Sequence, residues 1–334
     1  MKLMITGASG FLGSYVTSAA LKQGHQVKAI VRPHKTALSW LSHPDMELIA
    51  LDLATGEGLV EALAQVDGVI HLAAAKTGDY STQYSGTVQT TENLLTAMSQ
   101  AMVNRLIAIS SFSVYDYLNI PAGATVTEDS PLESKPQFRD IYAQTKLIQE
   151  TKCREFAQKG GKVTIIRPGM IYGRDYLWNA CLGSPISPNL WLRIGNEATI
   201  PLIYVENCAE AIVKAAQQTE AIAQTLNLVD DDLPQQKIYV QKLQEKISNN
   251  PSSILLPWSL VNSIAGISWS INQNLFQGKL KLPSTLIPPR LHARFKQLNY
   301  TNERAKGVLL WQPRYSLDTA LERIGSNLDL LAVN

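Results

Sequence analysis

Lys2-Leu3-Met4-Ile5-Thr6-Gly7-Ala8-Ser9-Gly10-Phe11-Leu12-Gly13 is the stretch from which the rest of the chain is read. Residues 2–5 form a short apolar run of the kind a buried strand needs, and residues 11–23 carry a helical pattern closed by Gly24. Glycines at 7, 10 and 13 lie at the junction. The first two permit a tight turn and a close approach of backbone to a pyrophosphate. The third lets the helix pack tightly on the strand. The helix N-terminus then offers free N–H groups to the anion. A bare glycine triplet also occurs in plain turns; the strand before it and the helix after it are the context that the phosphate reading requires.

Outward from this turn, apolar runs at residues 27–31, 47–51, 69–72, 105–109 and 163–166 alternate with helical patterns, among them 88–102 and 142–158. Strand–helix alternation of this kind builds an α/β fold with a parallel, doubly wound sheet. Near Tyr172 the rhythm changes, and Gly183, Pro185 and Pro188 mark entry into a second lobe. Residues 200–205 and a helix at 208–217 are expected to return to the sheet. From about Leu228 the pattern is irregular and is assigned to a smaller lobe. The expected division is therefore 1–173 plus about 200–228 for the nucleotide-binding domain, and about 174–199 plus 229–334 for the substrate lobe.

The chain has 334 residues, more than one core usually holds, which agrees with a large domain and an appended lobe. A composition of 45% hydrophobic and 17% charged residues fits a folded globular protein. The net charge of +2 is too small for a nucleic-acid binder. Cys153, Cys181 and Cys208 have no CxxC spacing, so neither a metal site nor a disulfide framework is expected, and a reducing, cytoplasmic setting is. The N-terminal residues lack the pattern of a signal peptide.

The octapeptide Thr6 to Gly13 resembles the TGxxGxxG fingerprint of the extended short-chain dehydrogenase/reductases, the family of sugar-nucleotide epimerases, dihydroflavonol reductases and hydroxysteroid dehydrogenases. The similarity runs from residue 1 to about 230 and resumes at 300–322. It implies a Rossmann-type sheet with a C-terminal substrate lobe, a nicotinamide cofactor, and a pyrophosphate held around Thr6, Gly7, Ser9, Gly10, Phe11, Leu12 and Gly13. An NAD enzyme usually carries an acid at the end of its second strand to bind the ribose 2′-hydroxyl. Here Val27-Lys28-Ala29-Ile30-Val31-Arg32 has no carboxylate, and Arg32 and Lys35 follow, so NADP is expected over NAD. Arg32 as a merely solvated loop residue is the competing reading. Asp52, in Leu51-Asp52-Leu53-Ala54, resembles the family's aspartate for the adenine amino group, with Leu53 beside it. Ala73, Ala74 and Ala75 resemble its small cofactor-lining residues, and His71 reads as a packed strand-end histidine.

Tyr142 and Lys146 form a YxxxK on a helical pattern, four residues apart and so on one face. A nearby ammonium and a positive nicotinamide both favour the phenolate. Tyr142 is then expected to exchange a proton with a substrate hydroxyl or carbonyl, and Lys146 to bind the nicotinamide ribose as well. Ile109-Ser110-Ser111-Phe112-Ser113-Val114-Tyr115 resembles the family's SSxxVYG, which puts the substrate-orienting hydroxyl at Ser111, with Ser110 and Ser113 as alternatives. Arg167-Pro168-Gly169-Met170-Ile171-Tyr172-Gly173 is similar to RPxxVYG, bringing Pro168 beside the nicotinamide. Tyr204-Val205-Glu206-Asn207 stands for the HVDD-like turn.

Three departures bear on the reaction. Sugar-nucleotide enzymes usually carry RDF before that turn, where this chain has Ile200-Pro201-Leu202-Ile203. Phe112 and Ser113 stand where dehydratases carry an Asp-Glu pair, and Thr87 stands at a usual asparagine position. These favour a reductase or dehydrogenase acting on a small, less polar molecule with a hydroxyl or carbonyl. A nucleotide-sugar epimerase that recycles its cofactor and a non-catalytic NADP-sensing protein are the alternatives; a homodimer is left open. Residues 246–302 contain no Asp or Glu but do contain Lys246, Lys279, Lys281, Arg290, Arg294 and Lys296. Residues 247–278 carry no charge at all. Pro257, Gly266, several serines and Asn262, Asn272 and Asn274 interrupt them, which excludes a spanning helix of about 20 apolar residues. A helix covering the substrate cleft is expected there rather than a membrane contact; a membrane-surface contact and a site for an anion such as a diphosphate are the other readings.

Overall fold

The computed structural model describes residues 1–32 and 42–331. Seven strands, β1 (Lys2–Thr6), β2 (Gln26–Val31), β3 (Met46–Ala50), β4 (Gly68–His71), β5 (Arg105–Ile109), β6 (Lys162–Pro168) and β7 (Thr225–Leu228), form one sheet in the order β7-β6-β5-β4-β1-β2-β3. Every neighbouring pair is parallel. Successive side chains go to opposite faces. Leu3 and Ile5 join one buried cluster with Ile107, Ile109 and Ile166, while Met4 joins another with Leu106, Ala108 and Ile165. Both faces are covered, so these strands read as continuous apolar runs.

The strand order reverses between β1 and β4, in register Thr6 opposite His71. That reversal opens a crevice at the carboxyl ends of the strands, the usual ligand position of such sheets. The helix after β1 spans Phe11–Lys22. The helix expected at 88–102 starts instead as a π-turn, Ser85–Gln89, and continues as Thr90–Gln100.

Two expectations are corrected. Residues 200–205 do not rejoin the main sheet. Only Leu202–Tyr204 is a strand, and it pairs with Met170–Tyr172 in a separate two-stranded sheet. Pro201 has no N–H to give a ladder, but its carbonyl accepts from Met170 N at 2.6 Å. The seventh strand is Thr225–Leu228, paired with β6. Nor is the chain beyond Leu228 irregular. It forms helices Gln236–Lys246, Trp258–Leu275, Pro288–Phe295, Glu303–Leu309 and Leu317–Gly325. The last two bury Ala305, Leu309, Leu317 and Leu321 in the same cluster as Leu3 and Ile5. A three-stranded sheet, Gly183–Ser187, Leu190–Ile194 and Ser252–Leu256, precedes the helix Trp258–Leu275, which packs with Pro288–Phe295 around Val261, Ala265, Leu291 and Phe295. Among the described residues no helix is long and apolar enough to cross a membrane, and no cluster of His, Cys, Asp or Glu could hold a metal.

Candidate active site

The glycine turn sits at the mouth of the crevice. Gly7 has φ of 69°, and a Cβ there would stand 2.9 Å from Ala73 N. A Cβ on Gly13 would lie 2.1 Å from the Gly7 carbonyl oxygen, so the helix could not approach the strand as it does. Gly7 O accepts from Gly10 N at 2.9 Å. Gly10 caps the helix without any side-chain bond, leaving the first-turn N–H groups to a ligand. A cradle that any Cβ would fill, below uncapped N–H donors, fits a dinucleotide diphosphate. Ser9, Phe11 and Leu12 are half-buried around it, and the Phe11 ring packs on Tyr176 at 4.2 Å.

Arg32 directly follows β2 and is exposed; Lys35 lies outside the described residues. Asp52 is exposed, and its Oδ1 accepts from Ala54 N at 3.0 Å. Leu53 is buried, and its carbonyl accepts from Asn93 Nδ2 at 2.9 Å. Ala73, Ala74 and Ala75 are half-buried beyond β4, with Ala75 N donating to Thr87 Oγ1 at 3.0 Å. The threonine at the position usually held by asparagine thus pins the small-residue segment to the π-turn. Pro168 closes β6 on the same edge of the sheet.

The helix Ile141–Gln158 brings in the tyrosine and lysine. Asp140 caps it by accepting from Ala143 N at 3.0 Å. Lys146 is 2% exposed, and its Nζ donates to Ile109 O at 2.7 Å and Gln149 Oε1 at 2.9 Å. Nζ stands 5.8 Å from the Tyr142 ring centroid. Burial, and then the charge of Lys76, bring the Lys146 pKa down to about 7. Burial pushes the Tyr142 phenol up to about 12; hydrogen bonding with Ser111 opposes this and the Asp140 charge adds to it. Burial thus dominates the phenol, and Lys146 Nζ is engaged with Ile109 O and Gln149 Oε1.

The three serines have different surroundings. Ser110 Oγ donates to Glu150 Oε1 at 2.5 Å. Glu150 is also held bidentately by Arg167, Nε to Oε1 at 2.8 Å and Nη2 to Oε2 at 2.7 Å. Burial alone would raise that carboxyl, but the Arg167 and Ser110 contacts hold it below its usual range. Ser113 Oγ is buried with no partner. Ser111 Oγ accepts from Ser113 N at 3.1 Å, which leaves its own proton for the hydrogen bond with the Tyr142 phenol.

A chain of buried hydrogen bonds, invisible to motif reading, links this helix to the glycine turn. The Thr91 hydroxyl gives its one proton to Thr87 O at 2.6 Å. It therefore accepts from Gln149 Nε2 at 3.0 Å and from His71 Nε2 at 2.9 Å. That fixes the His71 proton on Nε2, so Nδ1 accepts from the Thr6 hydroxyl at 2.7 Å. Burial, aided by Lys146, lowers the His71 pKa to about 3, so the ring is neutral. His71 is a packed histidine that also transmits position. Lys76 was missed as well; no motif contains it, but its place directly after Ala73, Ala74 and Ala75 was the available signal. Two adjacent hydroxyls, Ser111 and Tyr142, beside a lysine near neutrality and a diphosphate cradle can bind and protonate a substrate oxygen.

Comparison with known proteins matches this geometry to a family. The sequence profile of the NAD dependent epimerase/dehydratase family matches residues 3–228. A 3-beta-hydroxysteroid dehydrogenase of Mycolicibacterium neoaurum is 26% identical over 230 residues, covering 65% of this chain and 61% of that enzyme. The chain thus aligns with about three fifths of that relative's length. A human sterol-4-alpha-carboxylate 3-dehydrogenase, decarboxylating, is 25% identical over 96% of this chain and 86% of its own. The crystal structure of the UDP-glucuronic acid 4-epimerase of Bacillus cereus in complex with NAD superposes with a TM-score of 0.73 at 20% identity, covering 98% of this chain and 99% of that one.

Proposed function

The chain belongs to the NAD dependent epimerase/dehydratase family, and from that premise we propose that it is an NADP-dependent oxidoreductase that interconverts a secondary alcohol and a ketone, or reduces an aldehyde, on a small apolar molecule. The observation that carries this reading is the pairing of Ser111 with Tyr142 in the crevice, with Ser110 taken up by Glu150. The residues Thr6, Gly7, Ser9, Gly10, Phe11, Leu12 and Gly13 hold the diphosphate, Arg32 and Lys35 the 2′-phosphate, Asp52 and Leu53 the adenine side, and Ala73, Ala74, Ala75 and Pro168 the nicotinamide side. The absence of any acid in β2 supports the 2′-phosphate. Bound nicotinamide supplies the hydride donor or acceptor.

The side chains do the rest. Ser111 donates a hydrogen bond to the substrate oxygen and fixes its orientation. Tyr142 gives its phenolic proton to that oxygen in reduction and takes it back in oxidation. Lys146 lies within 5.8 Å of the Tyr142 ring, and its protonated form favours the phenolate. Gln149 and Thr91 keep the lysine oriented. Two features support an apolar substrate: relatives are named for sterols, and Ile200, Leu202 and Ile203 are buried where sugar-nucleotide enzymes usually carry a charged RDF.

The test is turnover with NADPH and NADH on a panel of steroid and alkyl ketones, alongside UDP-sugars. Net NADPH consumption with an apolar ketone is the expected result. Inversion of a UDP-sugar without net cofactor consumption would overturn it in favour of the epimerase.

A further inference from the structure

We propose that the outer face of the helix Trp258–Leu275 docks on the surface of a lipid bilayer that carries anionic headgroups. The helix is anchored to the protein through Val261, Ala265 and Asn272, its buried residues. Leu260, Ile264, Ile267, Ile271 and Leu275 step by three and four and so share one stripe. All five are exposed, by 51%, 44%, 62%, 44% and 74%. Single exposed apolar residues are ordinary, but a contiguous stripe about 24 Å long, at 1.5 Å per residue, is not. Phe276 and Leu280 extend it, at 45% and 47% exposure.

Charge selects the occupant. No Asp or Glu occurs between residues 246 and 302, so nothing on this segment repels an anionic surface. Lys279 and Lys281 are exposed just past the helix end. Cations flanking an apolar stripe complement anionic headgroups. A second copy of the chain would bring the same lysines and no acid from this segment to answer them. The helix lies along the surface rather than through it, since no described helix is long and apolar enough to cross.

The docked helix is coupled to the crevice. The Trp269 ring meets Phe138 edge-on at 5.1 Å, and Arg290 donates to Phe138 O at 3.1 Å and Arg139 O at 2.9 Å. These residues directly precede Asp140, the cap of the helix that carries Tyr142. Docking would hold the crevice close to lipid-dissolved molecules; the docking itself stands on exposure and charge and does not depend on the redox reading.

Co-sedimentation of the purified full chain with phosphatidylcholine vesicles, with and without phosphatidylglycerol, tests this. Binding to the anionic vesicles is expected, weakened by salt. Ile267→Asp with Leu275→Asp should cut it on the order of tenfold or more, with the thermal midpoint unchanged because both positions are exposed. Lys279→Gln with Lys281→Gln should cost roughly fivefold per lysine on anionic vesicles and little on neutral ones. Three results would overturn the proposal: no vesicle binding, binding that survives the double aspartate variant, or a solution dimer that this variant converts to monomer, which would make the face a contact between copies.

Discussion

Lys146→Met gives a sharp handle on the candidate site, because burial moves the lysine pKa from 10.5 to about 7. Between those values the unfolded chain holds a proton that the folded chain has released. Stability therefore rises with pH across that window, with a limiting slope of about 1.4 kcal/mol per pH unit. The lysine's contribution is most unfavourable below about pH 7, where the ammonium is charged in the dry interior, and the cost vanishes above about 10.5. Integrated over the window, the effect has a ceiling on the order of 5 kcal/mol. Relaxation around the ammonium takes up part of it, so on the order of 2–4 kcal/mol is expected. Methionine has a similar length but cannot donate, so Ile109 O and Gln149 Oε1 lose a partner at about 1–3 kcal/mol each. That cost does not vary with pH in this range and leaves the slope untouched. Urea unfolding of both proteins at steps from about pH 7 to 10, without cofactor, reads the difference. The native chain should gain on the variant as pH rises. A difference that stays flat would refute the picture of a buried lysine held near neutrality.

Other changes probe separate parts of the account. Arg32→Ala should erase much of the preference for NADPH over NADH, by about 1.5–3 kcal/mol for a lost charge-assisted contact; titration of both cofactors checks it, and equal affinities in the native chain would remove the idea. Glu150→Gln leaves Arg167 charged and buried without its counter-ion, so stability should fall by about 3–5 kcal/mol in denaturant unfolding.

The central sheet was legible because parallel strands covered on both faces are plain apolar runs between turn residues. Strand β7 was not, since Thr225–Leu228 is four residues long and contains Asn227, a buried amide that accepts from the Tyr115 hydroxyl at 2.6 Å. The helix Trp258–Leu275 was expected first as a cleft cover, with a membrane-surface contact and an anion site as the other readings. Its Trp269 does touch the loop before Tyr142, but its main apolar stripe faces outward. Periodicity alone cannot say which side of an uncharged helix is the buried one. The spacing of Ser111, Tyr142 and Lys146 named residues that the fold does bring to one crevice. Their supports, Thr91, Gln149 and His71, come from three different elements and meet only in three dimensions. The raised Tyr142 pKa was unreadable for a similar reason, because it comes from burial that only the tertiary fold sets.

The measurement that bears most directly on the proposed function is the turnover of Tyr142→Phe on a ketone that the native chain reduces with NADPH. The change deletes one hydroxyl and keeps the ring. NADPH affinity and the unfolding midpoint should stay close to native while turnover falls by about 10²–10⁴-fold, the usual worth of a positioned acid or base. Turnover near the native rate in Tyr142→Phe would contradict the assignment of the proton to this residue, and with it the reading of the crevice as an active site of this kind.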